Sequence, residues 1–293
     1  MPGLRKNNPA ARGNDGPSAV QSFFRRNAGL AGQAEAVGIL CLAGSGKKRT
    51  AQNLLSDIIY NKPEEHGFDM KINGPEILKV SFANPFEAEG RWFKGNTHTH
   101  TNNSDGAWSP EEVRIEYGRK GYDFVFLTDH WKRTVPAPSK AKPLLIPAEE
   151  VDFSVESRLY HAVCLGIRKE WRKRTFSSVS EFVRLARRRC KFLVMAHPYW
   201  SGSRSETYLT AEDFDAMEVY NTVCDDGCAK GYSGTYWDDF LDAGKKVFGL
   251  AADDAHSSAA ATRGWIMVKA ESCTEESIIS SLRKGHFYSS QGP

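Results

Sequence analysis

The run Thr97-His98-Thr99-His100 is the first place in this chain where side chains capable of chemistry stand at a functional spacing. Residues two apart on an extended strand share a face, so both imidazoles point the same way, as two ligands of one metal ion must. Alone the pair is a weak signal, because His-x-His also occurs by chance on half-buried strands. The remaining histidines strengthen it. Of the eight in the chain, His98, His100, His130, His161, His197 and His256 fall at or beside the ends of predicted strands, while His66 and His286 do not. Taken singly, each of the six reads equally well as a satisfied polar residue of a turn or the core; their shared placement is harder to explain that way. Carboxylates accompany them: Asp105 in Ser104-Asp105-Gly106, Glu150 at the end of Leu145-Ile146-Pro147-Ala148-Glu149-Glu150, and Asp254 two residues before His256. A mixed imidazole and carboxylate shell suits zinc, manganese or iron, whereas calcium takes oxygen ligands alone.

Something must bring these distant residues together. From about Ile77, short apolar runs alternate with helical patterns, the texture of parallel β/α units. Strands are predicted at 92–98, 123–128, 144–151, 160–167, 191–196, 216–220, 246–252 and 263–269. Ser109-Pro110-Glu111-Glu112 offers a capping serine, a proline at the first helical position and a glutamate three residues after the cap, and Gly121 ends that helix. Thr274 opens another, closed near Gly285. The pattern predicts an α/β barrel of parallel strands with helices outside. Loops after the carboxyl ends of barrel strands form one face, which would place His130, His197 and His256 beside His98.

Ahead of a catalytic domain over 76–293, residues 1–75 read as a largely disordered or leader-like tail. Arg25-Arg26 and the small-residue run to Gly46 resemble a twin-arginine export signal, interrupted by Gln33 and Glu35. A cytoplasmic location is favoured over export. Gly44-Ser45-Gly46-Lys47 is no nucleotide-binding loop, since Cys41 and Lys48 stand where that loop needs Gly and Ser or Thr. The six cysteines form no disulfide framework, and Cys224 with Cys228 is a weak metal signal. Residues 1–75 carry 10 Lys/Arg against 6 Asp/Glu, and the rest 29 against 30, so nucleic acid is not an expected partner of the near-neutral domain. No apolar run reaches the ~18 residues of a membrane span. Oligomeric state is not legible.

From about Phe82 to Pro293 the chain resembles the PHP (polymerase and histidinol phosphatase) superfamily of metal-dependent phosphoesterases. The matching segments are Gly95-Asn96-Thr97-His98-Thr99-His100 with Ser104-Asp105-Gly106, Leu127-Thr128-Asp129-His130, Ile146-Pro147-Ala148-Glu149-Glu150, Tyr160-His161, Ala196-His197-Pro198 and Asp253-Asp254-Ala255-His256. Glu218-Val219-Tyr220-Asn221, Tyr236-Trp237-Asp238-Asp239 and Phe287-Tyr288-Ser289-Ser290 look most like the bacterial branch that includes carbaryl (carbamate) hydrolases. Ala148 stands where that family often has Gly. The resemblance implies a distorted (β/α)7 barrel with two or three divalent transition-metal ions on its open face. His98, His100, Glu150 and Asp254 would hold one ion, Glu150, His161 and His197 a second, and Asp105, His130 and His256 a third, with Glu150 bridging two. Since the bacterial branch often continues with further β structure, an end at Gln291-Gly292-Pro293 suggests truncation.

The expected activity is hydrolysis of a small phosphate ester by a metal-bridging hydroxide, for which no side-chain base is needed. The same cluster would suit a carbamate or carboxylic ester, and a non-catalytic metal-stabilised binding module is the reading from another class. Asp129 is expected to orient a ligand from the outer shell or to cap a turn. Lys132, Arg133, Arg204 and Arg263 are candidate clamps for the phosphate, or plain surface charges. Trp131, Trp200 and Trp237 would wall the pocket or pack in the core.

Overall fold

The computed structural model describes residues 68–71, 77–80, 84–210 and 214–292. Most of the stretch read as a tail, with its arginine pair and Gly44–Lys47, lies outside them. Strands β1 (Phe68–Lys71) and β2 (Ile77–Val80) pair antiparallel across the boundary placed at residue 75.

From Arg91 the chain runs through β3 (Arg91–Asn96), α1 (Pro110–Arg119), β4 (Phe124–Leu127), β5 (Leu144–Pro147), β6 (Glu149–Val155) and β7 (Arg158–Leu165). It continues with α2 (Val179–Ala186), β8 (Phe192–Met195), α3 (Pro198–Ser201), α4 (Ser205–Thr210), β9 (Ala216–Asn221), α5 (Thr222–Cys228) and α6 (Gly234–Asp242). Last come β10 (Phe248–Ala252), β11 (Trp265–Ala270), α7 (Glu275–Lys284) and β12 (Phe287–Ser290).

The helix ends follow the sequence signals. Ser109 and Glu112 form a reciprocal capping box on α1 with Pro110 in its first turn. Thr274 caps α7, and Gly285 ends it in the left-handed region at φ 75°. Ile278, Ile279 and Leu282 of α7 are buried, each worth ~1.5–3 kcal/mol of apolar transfer.

Two five-stranded mixed sheets, ordered β12-β11-β3-β4-β5 and β10-β9-β8-β7-β6, replace the barrel of parallel strands. β11 runs antiparallel to β3 and β12, and β7 antiparallel to β6 and β8. No strand ladder among the described residues closes the two sheets into a barrel. The strand expected at 144–151 breaks at Ala148: β5 pairs with β4 in one sheet, and β6 turns away to the edge of the other. Pro147, with no N–H to donate, ends β5. β6 then returns into β7 through Glu156 and Ser157, both left-handed at φ 49° and 62°, the backbone of a two-residue hairpin turn.

Central strands bury both faces and so read as unbroken apolar runs. In β4, Phe124 and Phe126 enter a core built from both sheets, while Val125 and Leu127 pack with Val113 and Tyr117 of α1. In β8, Phe192 and Val194 enter that same two-sheet core, and Leu193 and Met195 join Phe182 of α2. No helix among the described residues is long and apolar enough to cross a membrane.

What positions the functional residues is a backbone seam joining the two sheets. Thr99, beyond β3, bridges Ala255, beyond β10; His130, beyond β4, bridges Glu150 of β6. His100 N donates to Ala255 O at 3.0 Å, Asp254 N to His98 O at 2.9 Å, and Trp131 N to Glu150 O at 2.9 Å. Five of the nine candidate ligands therefore sit on or beside hydrogen bonds that hold the sheets together.

Candidate metal centre

All nine expected ligands converge at this seam. Glu150, 1% exposed, is the pivot. Its Oε2 lies 3.2 Å from His98 Nε2, 3.2 Å from His100 Nε2 and 3.4 Å from His130 Nε2, and its Oε1 lies 2.7 Å from His161 Nδ1 and 3.3 Å from His197 Nε2. Asp254 Oδ1 stands 3.3 Å from His98 Nε2 and 3.1 Å from His100 Nε2. Asp105 Oδ2 meets His256 Nε2 at 3.2 Å and His130 Nε2 at 3.6 Å. Gly106 lets the Asp105 turn close on the strand end, because a Cβ there would lie 2.5 Å from His100 O.

Donor atoms gather in four groups, each within 4.8 Å: His98, His100, Glu150 and Asp254; His100, Asp105, His130 and His256; His130, Glu150 and His161; and His98, His197 and Glu218. The first contains the full set expected for one ion, and the second contains the three residues expected for another with His100 added. Glu150, His161 and His197 also meet, through the Glu150 Oε1 contacts given above.

The imidazoles are aimed. Glu218 Oε1 accepts from His98 Nδ1 at 2.7 Å, Asp152 Oδ1 lies 3.1 Å from His130 Nδ1, and His256 Nδ1 donates to Asp254 O at 2.8 Å. For His98 and His256 the hydrogen bond assigns the proton to Nδ1 and leaves the Nε2 lone pair facing the centre, whereas His130 Nδ1 has the Asp152 carboxylate beside it without a hydrogen bond. His161 is turned the other way, with Nδ1 on Glu150 and Nε2 buried without a hydrogen-bond partner. An orphaned buried nitrogen, and two Nε2 atoms of His98 and His100 only 3.1 Å apart, are what residues arranged for a cation would show. The donor set and its burial fit divalent transition metals.

Electrostatics agree. Burial opposes charge on His98, yet Asp254, Glu218 and Glu150 lift its pKa well above the usual imidazole value; around His100 burial is likewise outweighed by Asp105, Asp254 and Glu150. Burial would raise the Glu150 carboxyl, but His98 and His161 hold it well below its usual range, and the His100 hydrogen bond does most to lower Asp105. The four carboxylates Asp105, Glu150, Glu218 and Asp254 thus create a field that retains positive charge in a buried place, and protons and divalent ions compete for it.

Backbone strain concentrates here too. His197 at φ 27°, Asp254 at φ 55° and Trp131 at φ 53° are left-handed without being glycine, each costing about 1–3 kcal/mol.

The other expected site residues lie apart from this contact set. Asp129 accepts from Thr101 N at 2.6 Å, Thr101 Oγ1 at 2.7 Å and Ser104 Oγ at 2.8 Å, and also from Thr134 Oγ1, so it clamps the loops after β3 and β4 and has no hydrogen bond to a histidine. Lys132 Nζ is 3.6 Å from Glu170, Arg133 Nε donates to Ile167 O at 2.8 Å, and Arg263 Nη1 pairs with Asp226. Arg204 lines a cavity of about 290 Å³ with Arg158, Tyr160 and the start of α2. Trp131 packs on Phe176, and Trp237 Nε1 donates to Val247 O at 2.8 Å, both against the core; Trp200 alone of the three stands at the histidines.

Glu218, Asn221 and Asp152 were not among the expected site residues. Asn221 Nδ2 donates to Glu218 Oε2 at 2.8 Å and to Asp254 Oδ2 at 3.2 Å. Two signals were present in the sequence: a carboxylate inside the apolar strand Ala216-Met217-Glu218-Val219-Tyr220, and Asp152 two residues from Glu150 on the same strand face.

A solved two-domain protein from Bacteroides vulgatus ATCC 8482, containing a predicted PHP-like metal-dependent phosphoesterase, matches with a TM-score of 0.51 and 16% identity. The chain has a PHP-like fold. The match covers 68% of this chain and 65% of that one, so this chain spans about two thirds of the length of its neighbour. PsfC from Pseudomonas syringae PB-5123 matches at a TM-score of 0.45 and 12% identity over 68% of this chain and 89% of that one, too low a score to add weight. No family model and no curated protein matches the sequence. At such identities the PHP-like fold is shared and the activity does not follow from it.

Proposed function

We propose that the chain is a PHP-type metal-dependent phosphoesterase acting on a small phosphate ester. The observation that supports it most is Glu150, a buried carboxylate contacted by five histidines. Two or three zinc, manganese or iron ions held by the nine ligands would supply an activated water and neutralise charge on the phosphoryl and leaving oxygens. Glu218 and the Asp254 carbonyl would hold His98 and His256 in the tautomer that ligates, with the Asp152 carboxylate beside His130. Asp129 would keep the Asp105 turn in place through Ser104, whose Oγ also lies 3.5 Å from His100 Nδ1. Lys132 and Arg133, nearest in sequence to His130, would have to leave the 167–170 loop to reach a phosphate, and Arg263 would have to leave Asp226.

The engagement of Lys132, Arg133 and Arg263 with other partners favours a second reading, hydrolysis of an uncharged carbamate or carboxylic ester, which needs no cationic clamp. Assaying p-nitrophenyl phosphate, bis-p-nitrophenyl phosphate and 1-naphthyl carbamate with added manganese or zinc separates the two. The proposal expects turnover of a phosphate ester; turnover of the carbamate alone refutes it.

A further inference from the structure

Exposed aromatic side chains gather beside the proposed centre. Trp200, 39% exposed, sets its indole perpendicular to two ligand imidazoles, with ring centroids 5.0 Å from His197 at 85° and 5.5 Å from His161 at 82°. Pro198 starts the short helix α3 directly after His197, and left-handed Gly202 ends it, so the indole is fixed two peptide bonds beyond the Pro198 ring. Tyr199, 43% exposed, has its N–H on Ser233 Oγ at 3.3 Å, and Tyr232, 46% exposed, lies 5.0 Å from Tyr220 at the end of β9. Five large apolar or aromatic side chains are exposed among the described residues, and these three share one rim at the ends of β8 and β9. Isolated exposed aromatics need no explanation, but a cluster against buried ligands marks a place for a partner surface.

We infer that Trp200 is a stacking platform for a planar aromatic group carried by the substrate, so that the ester hydrolysed at Glu150 is attached to an aryl ring or a nucleobase. This rests on the hydrolase reading above. The indole stands perpendicular to both imidazoles and, at 39% exposure, presents open aromatic surface beside the place where the ester must sit. A ring stacked there loses water from both π faces without calling on a cationic clamp, which fits the engagement of Lys132, Arg133 and Arg263 elsewhere.

The test compares phenyl phosphate and adenosine 5′-phosphate with ring-free glycerol 2-phosphate in the metal-loaded wild type, Trp200→Ala and Trp200→Phe. The aromatic-over-glycerol ratio of kcat/KM falls about tenfold or more in Trp200→Ala and largely returns in Trp200→Phe, the scale of one lost stacking contact. A fall on phenyl phosphate alone assigns an aryl group, and a fall on the nucleotide assigns a base. An unchanged ratio overturns the inference. Calorimetric binding of non-hydrolysable phenylphosphonate and 5′-deoxy-5′-(phosphonomethyl)adenosine gives a readout independent of turnover: wild-type binding of either that weakens in Trp200→Ala supports the platform, and absence of wild-type binding of both overturns it. Should the wild type hydrolyse only carbamates, the same ratio measured between phenyl and methyl carbamate tests Trp200 while the phosphoester reading fails separately.

Discussion

Replacing Glu218 by Gln removes one of the two acceptor oxygens of a buried group that accepts three hydrogen bonds. Oε1 accepts from His98 Nδ1 at 2.7 Å, and Oε2 accepts from His197 N at 3.0 Å and Asn221 Nδ2 at 2.8 Å. The amide retains one oxygen and gains two N–H donors. If the oxygen stays on His98, the amide nitrogen faces two donors and leaves buried groups unpaired, at about 1–3 kcal/mol each. If the oxygen faces those two donors, the amide donates to His98 Nδ1, and the His98 proton moves to Nε2, the atom pointing at Glu150 and Asp254. Both outcomes misalign or block one ligand. Loss of such a supporting carboxylate typically weakens metal binding 10–100-fold, or about 1.4–2.7 kcal/mol. Titration of metal-free wild type and Glu218→Gln with manganese or zinc by calorimetry reads this directly, with circular dichroism confirming that the variant is folded. An affinity within about twofold of wild type in a folded variant refutes the assigned role.

Asp152 is only half buried, so water can replace it; Asp152→Ala should weaken metal binding less than Glu218→Gln in the same titration, and a larger loss would contradict the ranking. Because His98, His100, His130 and His197 all bind protons more tightly than free imidazole, metal must displace protons. Apparent affinity therefore rises with pH through and above the ordinary histidine range, and calorimetry in buffers of different ionisation enthalpy should detect proton release at pH 7; equal heats in all buffers would argue against the raised values. Glu149 is held up to about 7 chiefly by burial, against the forked hydrogen bond from Trp171 N to its two oxygens. Between about 4.5 and about 7 the folded chain keeps a proton that the unfolded chain has lost, so stability falls as pH rises through that window, by about 3 kcal/mol in all. Glu149→Gln should thus gain about 2–3 kcal/mol over wild type between pH 5 and pH 8 in urea unfolding of the metal-free proteins, and a constant difference across that range would exclude the shift.

Five of the six histidines were legible because they lie just beyond the carboxyl ends of β3, β4, β8 and β10, where apolar runs stop; His161 lies inside β7. Helices α1 and α7 were legible through local chemistry, a capping box at Ser109 and a left-handed Gly285. What local pattern could not show was direction: β7 and β11 have the composition of parallel interior strands, yet β7 folds straight back on β6 and β11 pairs with the distant β3, so both run antiparallel. The break at Ala148 was hidden because what divides the run is the choice of partner sheet, which depends on residues distant in sequence. The β6–β7 turn was missed because Glu156-Ser157 lacks the Asn-Gly or Asp-Gly chemistry that usually marks left-handed turn positions. The alternation in Val151-Asp152-Phe153-Ser154-Val155 was nevertheless a readable strand signal. Among the cations, spacing after a ligand said nothing about direction, and Lys132, Arg133 and Arg263 all found partners away from the cluster.

The claim that nine side chains on the seam between the two sheets form a metal centre is tested most directly by counting metal in the purified protein. Mass-spectrometric elemental analysis, followed by chelation and retitration with zinc, manganese and iron, should find two or three transition-metal equivalents per chain and a matching number of sites. A protein that carries none and binds none of the three metals would contradict the account at its centre.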